Sequence, residues 1–545
     1  MSDSPAEAPR RAGWLRRWRV PLTILGLSVA LLLAPEAGLR LDLDPELVFR
    51  VQMYGTMASV LLLLLLPLWL LLFSGLRWRT RGMILGSLAL AGAGLALSVR
   101  KAELNANFEP RLSFRWQADP QERLQARLDQ ATDPAQEQLP PLDLRITPLT
   151  DFPRFRGSAG DGVIHGVKLL DWGKGGPSIR WKQPCGGGYS GIVVAGNALV
   201  TLEQRGANEA VVCYDRETGR ERWKHEYPAL FEQTEPMGGS GPRATPTIAP
   251  DGLVYSLGAT GELVCLEGKT GGLKWQVNIL TLNGSKNLVF GMSGSPLVVG
   301  DRIYVAPGAD ADNPDSRSLL ILDRQTGRRL AGSGRRKGSY ASPQLARLDG
   351  VPQVLVFDVP GLVSYELETG KELWSIEWTS WMDMNISQPL VIGGDRVFLS
   401  SQPGVGGGLY RVQQKGEAWT VTPLWQNKYL HTNFNNPVAV GEYIYGLSGS
   451  RGLLVCLDAK DGKRLWSNGR YGAGQMLAVG DRLLIQTEAG ELALVAADPQ
   501  AWRELGRFRV LEGAKSWNNP AMAGNRLYLR NHNEMACVEV PAVAR

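Results

Sequence analysis

An all-β, eight-bladed β-propeller behind an α-helical transmembrane anchor is the fold class this sequence predicts, and three observations predict it. A strand–turn–strand unit ending in Trp recurs along the last two thirds of the chain. A second apolar pattern precedes each copy of that unit. The first hundred residues hold three apolar runs. The composition of the 545 residues agrees: 64 Gly and 33 Pro are scattered rather than clustered, and 17 Trp accompany them. Short strands joined by turns use residues in this way.

The anchor comes first in the chain. Residues 1–19 form a basic N-terminus, with Arg10, Arg11, Arg16, Arg17 and Arg19. Residues 20–99 hold the runs Val20–Pro35, Val51–Gly75 and Met83–Val99. About 20 apolar residues suffice to cross a bilayer, so the second run is long enough, while the first is marginal and the third is rich in Gly and Ala. A signal peptide would account for the first run but not the other two. Arg77, Arg79 and Arg81 lie between the second and third runs. Those eight arginines, less Asp3 and Glu7, supply the whole net charge of +6. The basicity is therefore a topology signal and not a face for nucleic acid. Arg-rich segments stay in the cytoplasm, so three crossings place everything after Lys101 in the periplasm, with the inner membrane as the site of anchoring. Two crossings would place it in the cytoplasm. Residues 100–150 read as a stem with a short juxtamembrane helix in RLSFRWQADPQERLQARLDQ and a Pro-rich linker, and residues 151–545 as the propeller.

The repeats decide the fold. VVCYDRETGRERW (211–223), LVCLEGKTGGLKW (263–275), LVSYELETGKELW (362–374) and LLVCLDAKDGKRLW (453–466) share an apolar strand, an acid, a Gly turn and a Trp. LLILDRQTGRRLA (319–331) has Ala331 in place of Trp. LYRVQQKGEAWTVTPLW (409–425) and LALVAADPQAW (492–502) are degenerate, and MACVEV (535–540) stops early. The preceding pattern is a small or polar residue, usually Pro, then two apolar strands around a Gly turn, as in SPLVVGDRIYVAP and NPVAVGEYIYGLS. In each unit the acid is expected to bond the turn backbone and Gly to take the left-handed conformation. Trp181, Trp223, Trp275, Trp374 and Trp466 are expected to dock their blades on the neighbours. The truncated eighth copy and the orphan strand IRWKQP (179–184) predict that Trp181 completes the last blade and closes the ring.

Cys213, Cys265, Cys456 and Cys537 occupy one position of the repeat, as small buried apolar residues would. Cys185, in QPCGGGY, falls outside that pattern. The number of Cys is odd, and neither CxxC nor CxxCH occurs, so neither a zinc knuckle nor covalent haem is indicated.

With an acid, a TG turn and a Trp in its repeat, and DFPRFRGSAGDGV at 151–163 as an entry segment, the region from about 150 to 545 resembles the pyrroloquinoline quinone (PQQ) propeller family. That resemblance implies eight blades. It also implies one of two function classes: a non-catalytic binding scaffold, as in the outer-membrane protein assembly lipoprotein, or a PQQ-dependent membrane quinoprotein dehydrogenase oxidising a sugar or alcohol. The second would need PQQ, calcium or a similar ion, and a carboxylate base. The soluble alcohol-oxidising members also use a vicinal disulfide, and no Cys–Cys pair exists here. Membrane glucose dehydrogenases lack that disulfide and carry N-terminal spans too. No acid-rich insertion suggests a cation cage.

The candidate ligand site is a polar set just before the first strands of the blades. It comprises Arg243, Asn385, Ser387, His431, Asn433, Asn435, Asn436, Gln475, Trp517, Asn518 and Asn519, and should line the central mouth. Such a set either holds an anionic or hydroxylated ligand, with Arg243 as its firm charge, or satisfies strand-end backbone groups and water. Asp383 and His431 are the nearest candidates for a base, against the alternative of satisfied loop groups. His165, His225 and His532 have no ligand-like spacing, and no catalytic or phosphate-binding motif appears. The sequence thus supports a membrane-integral, non-enzymatic propeller that needs no cofactor and binds a protein or small ligand, with the dehydrogenase as alternative. A ligand sensor is a third possibility, weakened because no cytoplasmic output domain is present.

Overall fold

The computed structural model describes all residues except 1–9, 41–44, 105–109, 132–138, 148–149, 174–175, 233–237, 403 and 545. The chain divides into two compact units, 1–117 and 118–545.

The first unit is helical. Helices α1 (Arg10–Arg40), α2 (Pro45–Phe73) and α3 (Trp78–Ser98) each contain a stretch long and apolar enough to cross a membrane: Trp18–Gly38, Arg50–Phe73 and Trp78–Ser98. The first stretch, marginal by its apolar run alone, reaches full length because the helix extends past it at both ends. Small residues let α1 and α2 approach closely. Ser59 Oγ donates to Ser28 O at 3.2 Å, and a Cβ on Gly55 would lie 3.2 Å from Leu31 O. Trp18 near the start of α1 meets Trp69 near the end of α2, ring centroids 5.3 Å apart. After α3 the chain does not continue into a helix. Val99–Leu104 pairs antiparallel with Pro110–Phe114, and the expected juxtamembrane helix occupies only α4, Pro120–Ala131.

The second unit is a ring of eight antiparallel sheets. Blades 1 to 7 span Val193–Pro228, Thr247–Asn278, Leu297–Ser333, Gln344–Glu377, Leu390–Asn427, Val438–Asn468 and Gln475–Arg509. Blade 8 takes three strands from Ala521–Glu539 and its outermost from Ser178–Pro184, with Cys537 opposite Trp181. The ring is closed by the two ends of the domain, as the truncated repeat predicts.

Register explains the repeat. Across the blades one row of three residues recurs: Tyr255, Cys265, Trp275; Tyr445, Cys456, Trp466; Tyr528, Cys537, Trp181. These Cys, and Cys213 opposite Trp223, are free and wholly buried. A small side chain fits there because a Trp and usually an aromatic residue flank it. The indole then reaches the next blade. Trp223 Nε1 donates to Gly268 O at 2.7 Å, Trp275 to Arg324 O at 3.0 Å and Trp181 to Arg216 O at 3.2 Å. A Cβ on Gly271, Gly327 or Gly219 would stand 2.6, 2.6 or 2.9 Å from the docked ring. These glycines are therefore required twice, by positive φ and by the ring lying on them. The acids act as expected: Asp323 Oδ1 accepts from Gln325 N, Thr326 N and Thr326 Oγ1 at 3.1, 2.8 and 2.6 Å.

The degenerate copies depart from this in instructive ways. Blade 5 carries its Gly turn, at Gly416, on the tip of a long hairpin, and Trp374 keeps its N–H within blade 4, donating to Gln353 Oε1 at 2.8 Å. Its ring still packs in one cluster with Val397 and Val412 of blade 5. In blade 5 itself Trp425 holds the docking position, bonding Ala459 O at 2.9 Å. Blade 7 corrects the sequence alignment. Gly506, not Trp502, lies opposite Leu494 at the docking position, and Trp172 from outside the blade covers it.

Trp223→Ala should cost about 3–5 kcal/mol, as large aromatic-to-Ala changes in cores do. Gly271→Ala should also destabilise, and joining it to Trp223→Ala should cost much less than the sum of the two. Urea unfolding of the four proteins of that cycle measures this; additive costs would mean that the ring and the glycine do not act as one contact.

Candidate functional site

The residues before the inner strands lie at one end of the ring, and they form a belt. Gly191 N donates to Thr245 Oγ1 at 3.0 Å, Thr245 N to Ser295 Oγ at 2.9 Å and Ser295 N to Ser342 Oγ at 2.9 Å. With its amide oriented to satisfy both groups, Gln388 accepts from Ser342 N at 2.7 Å. Gln388 N donates in turn to Asn436 Oδ1 at 2.8 Å. The small or polar residue of the second repeat pattern is thus the side chain that receives the preceding blade's backbone.

Most of the expected mouth residues engage their neighbours in the same manner. Arg243 bonds the carbonyls of Gly238, Gly239 and Gly241 at 3.1, 2.7 and 2.8 Å. Burial lowers its pKa, yet it remains a cation. Asn385 donates to Asp358 O at 2.7 Å, and Ser387 to Asn435 O at 2.9 Å. Gln475 donates to Phe434 O and Trp517 O, and Asn518 to Gly188 O and Ser190 O. His431 is buried, with Nε2 2.6 Å from Lys428 O. Asn433 N donates to Asn435 Oδ1 at 3.3 Å. Asp383 pairs with Lys337 at 2.7 Å. Asp383 and His431 are therefore not brought together as an acid–base pair by any bond among the described residues. His532 Nδ1 accepts from Gly188 N at 3.0 Å, while His165 is exposed.

An aromatic arc runs along this mouth. Phe434 meets Trp517 with centroids 4.5 Å apart, Trp517 meets Tyr189 at 5.3 Å, and the Arg243 guanidinium lies 5.5 Å from the Tyr189 ring and 5.1 Å from Phe231. Trp517 is fixed by its N–H to Glu488 Oε1 at 2.9 Å. Outside the arc four large apolar side chains stand exposed, one in each of four inter-blade loops: Leu230, Val289, Met382 and Tyr429.

The other end of the channel is filled by the chain itself, which sequence reasoning missed. Phe152 pairs with Val194 of blade 1, Pro153 O accepts from Ile248 N of blade 2 at 2.8 Å, and Val163–Ile164 adds in parallel to Ala478–Val479 of blade 7. Arg156, at φ +62° and buried, donates to Pro437 O of blade 6 at 2.8 Å. Burial pushes its pKa down to about 10. The entry segment therefore plugs the ring by touching four inner strands. The run of glycines in GSAGDGV signals a tight path but not its location. Beside the plug, Arg154, Phe155, Thr247, Ser295, Ser342 and Gln388 help line a cavity of about 30 Å³, room for one water.

Cys185 is buried too, and burial pushes its thiol up to about 12, so it is no nucleophile at neutral pH. Two buried carboxylates stand out. Glu209, pushed up to about 7 by burial, accepts from Ala259 N and Tyr227 Oη at 3.0 and 2.9 Å. Asp358, just after the second strand of blade 4, is pushed up to about 8 by burial although Arg336, in the connection from blade 3, lies 3.8 Å away, and neither of its carboxyl oxygens is hydrogen-bonded. Among the described residues no three His, Cys, Asp or Glu side chains converge as a metal site.

Burial makes both carboxyls keep their proton to higher pH in the fold than in the unfolded chain, so their contribution to stability falls as pH rises from about 4 to about 7 for Glu209 and about 8 for Asp358. Asp358→Asn should therefore raise the melting temperature more at pH 9 than at pH 5. Thermal unfolding at the two pH values measures it, and an equal shift at both would show that Asp358 is ionised throughout.

Residues 207–468 match a PQQ-repeat family model described as outer membrane protein assembly factor BamB. The protein of that name from Burkholderia pseudomallei is 24% identical over 305 residues, which is 52% of this chain and 68% of the relative. Among solved structures, BamB from Moraxella catarrhalis is similar at 16% identity and TM-score 0.48, covering 67% of this chain and 99% of that one. A quinohemoprotein alcohol dehydrogenase from Pseudomonas putida HK5 is similar at 12% identity and TM-score 0.52, covering 73% and 81%. That likeness shows the fold alone.

Proposed function

From the premise that this chain carries a PQQ-like propeller of the type matched by the BamB family model, we propose that it is a membrane-anchored, extracytoplasmic scaffold that binds a protein of envelope assembly. The observation that carries this reading is the rim of the mouth. Leu230, Val289, Met382 and Tyr429 are 51%, 62%, 60% and 44% exposed, whereas most of the polar mouth residues are engaged with their own neighbours. Apolar side chains presented by loops on a rigid ring suit a protein partner better than a small polar ligand.

The residues do not fit a quinone clamp. Arg243, the firm charge of the mouth, is held by three carbonyls of its own loop, and the entry segment lies in the channel. A pocket for a ligand of that size needs roughly 300 Å³ or more. The anchor reading rests on the three apolar helices and on arginine placement. Arg16, Arg17 and Arg19 flank the start of the first span, and Arg77, Arg79 and Arg81 the turn between the second and third. Trp18 against Trp69, and Arg81 donating to Leu71 O, bring those same ends together. Three crossings then put the propeller in the periplasm.

Because all five native Cys are buried, Glu417→Cys on the exposed hairpin of blade 5 gives a single reactive thiol. It should react with a membrane-impermeant maleimide in spheroplasts; reaction only after lysis would place the propeller in the cytoplasm. Photo-crosslinkers at Val289, Met382 and Tyr429 should each yield one discrete adduct with the same envelope protein. No adduct at any of the three would contradict the scaffold reading.

A further inference from the structure

The hairpin that follows α3 carries an unusual set of side chains for a connector. Its second strand is tied back to the helix end, Arg115 N donating to Ser98 O at 2.8 Å. Beyond that tie Phe114 and Trp116 stack face to face, centroids 4.5 Å apart and planes 6° apart. Phe114 N is held by Gln117 Oε1 at 2.9 Å. Despite the stacking, Trp116 is 70% exposed and Leu112 on the same strand is 40% exposed. Arg100, Lys101 and Arg115 are exposed beside them, and the segment 99–116 holds four basic residues to two acids. Stacking on the half-buried Phe114 still leaves most of the Trp116 ring uncovered, which the stack itself does not explain.

The position of the pair supplies the reason. The span Trp78–Ser98 is 21 residues, and at about 1.5 Å per residue it covers about 31 Å, the thickness of a bilayer's hydrocarbon core. At one end of that length stands Trp78, also 70% exposed, with the Arg81 guanidinium 4.8 Å from its ring. The tie from Arg115 to Ser98 sets Trp116 at the other end. The helix thus has an exposed Trp with arginine neighbours at both of its ends, one a hydrocarbon thickness from the other. Amphipathic rings settle at headgroup level, and basic side chains extend to phosphates.

We propose that the paired strands Val99–Leu104 and Pro110–Phe114, with Trp116 just after them, form a lipid-binding element seated in the headgroup layer of the leaflet from which α3 emerges. Trp116 and Leu112 dip toward the acyl chains there, while Arg100, Lys101 and Arg115 meet lipid phosphates. This inference rests on the reading of α3 as a span. It goes further by making the first residues outside the membrane part of the anchor rather than the start of a free stem.

The test uses the full chain in phospholipid nanodiscs, with one nitroxide at a time on Trp116→Cys, Leu88→Cys at the middle of α3, or Glu417→Cys. The buried native thiols leave each introduced Cys as the labelled site. Collision with a water-soluble nickel chelate is compared with collision with oxygen. The label at 116 should meet the chelate roughly fivefold less often than the label at 417, as a group at interface depth does. The label at 88 should be shielded more strongly still. Equal chelate access at 116 and 417, with 88 shielded, would overturn the lipid-binding hairpin and leave the anchor standing. Chelate access at 88 would remove the α3 span itself and the proposal with it.

Discussion

The indole of one blade resting on the left-handed glycine of the next is the contact on which the ring depends. A four-stranded sheet cannot bury both faces by itself, so each blade is stable only between two neighbours. The Trp supplies that neighbour contact at the outer radius, with a ring against a Cα and an N–H into the turn's carbonyl. At the inner radius the side-chain-to-backbone belt from Gly191 to Asn436 does the same work in polar form. Trp181 matters most among the indoles because its strand and its target, the turn of blade 1, lie at the closing seam.

That seam is reinforced from within. Arg530 of blade 8 is wholly buried and donates to Leu202 O and Gly186 O at 3.1 and 2.9 Å, while Glu203 of blade 1 accepts from Gly186 N at 2.9 Å. Fixed partners at both Nη atoms offset the cost of burying that charge, although Arg530 Nε itself meets none. The entry segment adds a third restraint, fastening blades 1, 2, 6 and 7 from inside the channel. The ring is therefore held at its edge, at its belt and along its axis. Its loops are left free to vary, which is what a binding platform requires.

The blades were legible in the sequence because their signal is local: an acid, a glycine and a Trp at fixed spacing need only one hairpin to be understood. Closure by Trp181 was legible because a missing strand and an orphan strand are complementary. Trp172 was not, since nothing in its surroundings tells that it covers Gly506, more than three hundred residues away. Trp502 misled for the converse reason, its spacing imitating the repeat while the register of blade 7 passes it by. The mouth residues could be picked out in the sequence only by their place before the inner strands. Their partners lie on other loops, though, so the sequence left open whether they hold a ligand or one another. The plug was invisible because an irregular segment buried in a channel has no period. The hairpin after α3 was hidden by a composition that also suits a helix.

In the proposed reading the apolar rim of the ring's mouth, and not a cofactor held within it, performs the function. Calorimetric titration of the intact, detergent-solubilised chain with PQQ, with and without calcium, tests it most directly. The account predicts no saturable heat in either titration and the same null result for Arg243→Ala. Saturable, calcium-dependent binding abolished by Arg243→Ala would contradict it and return the chain to the dehydrogenases.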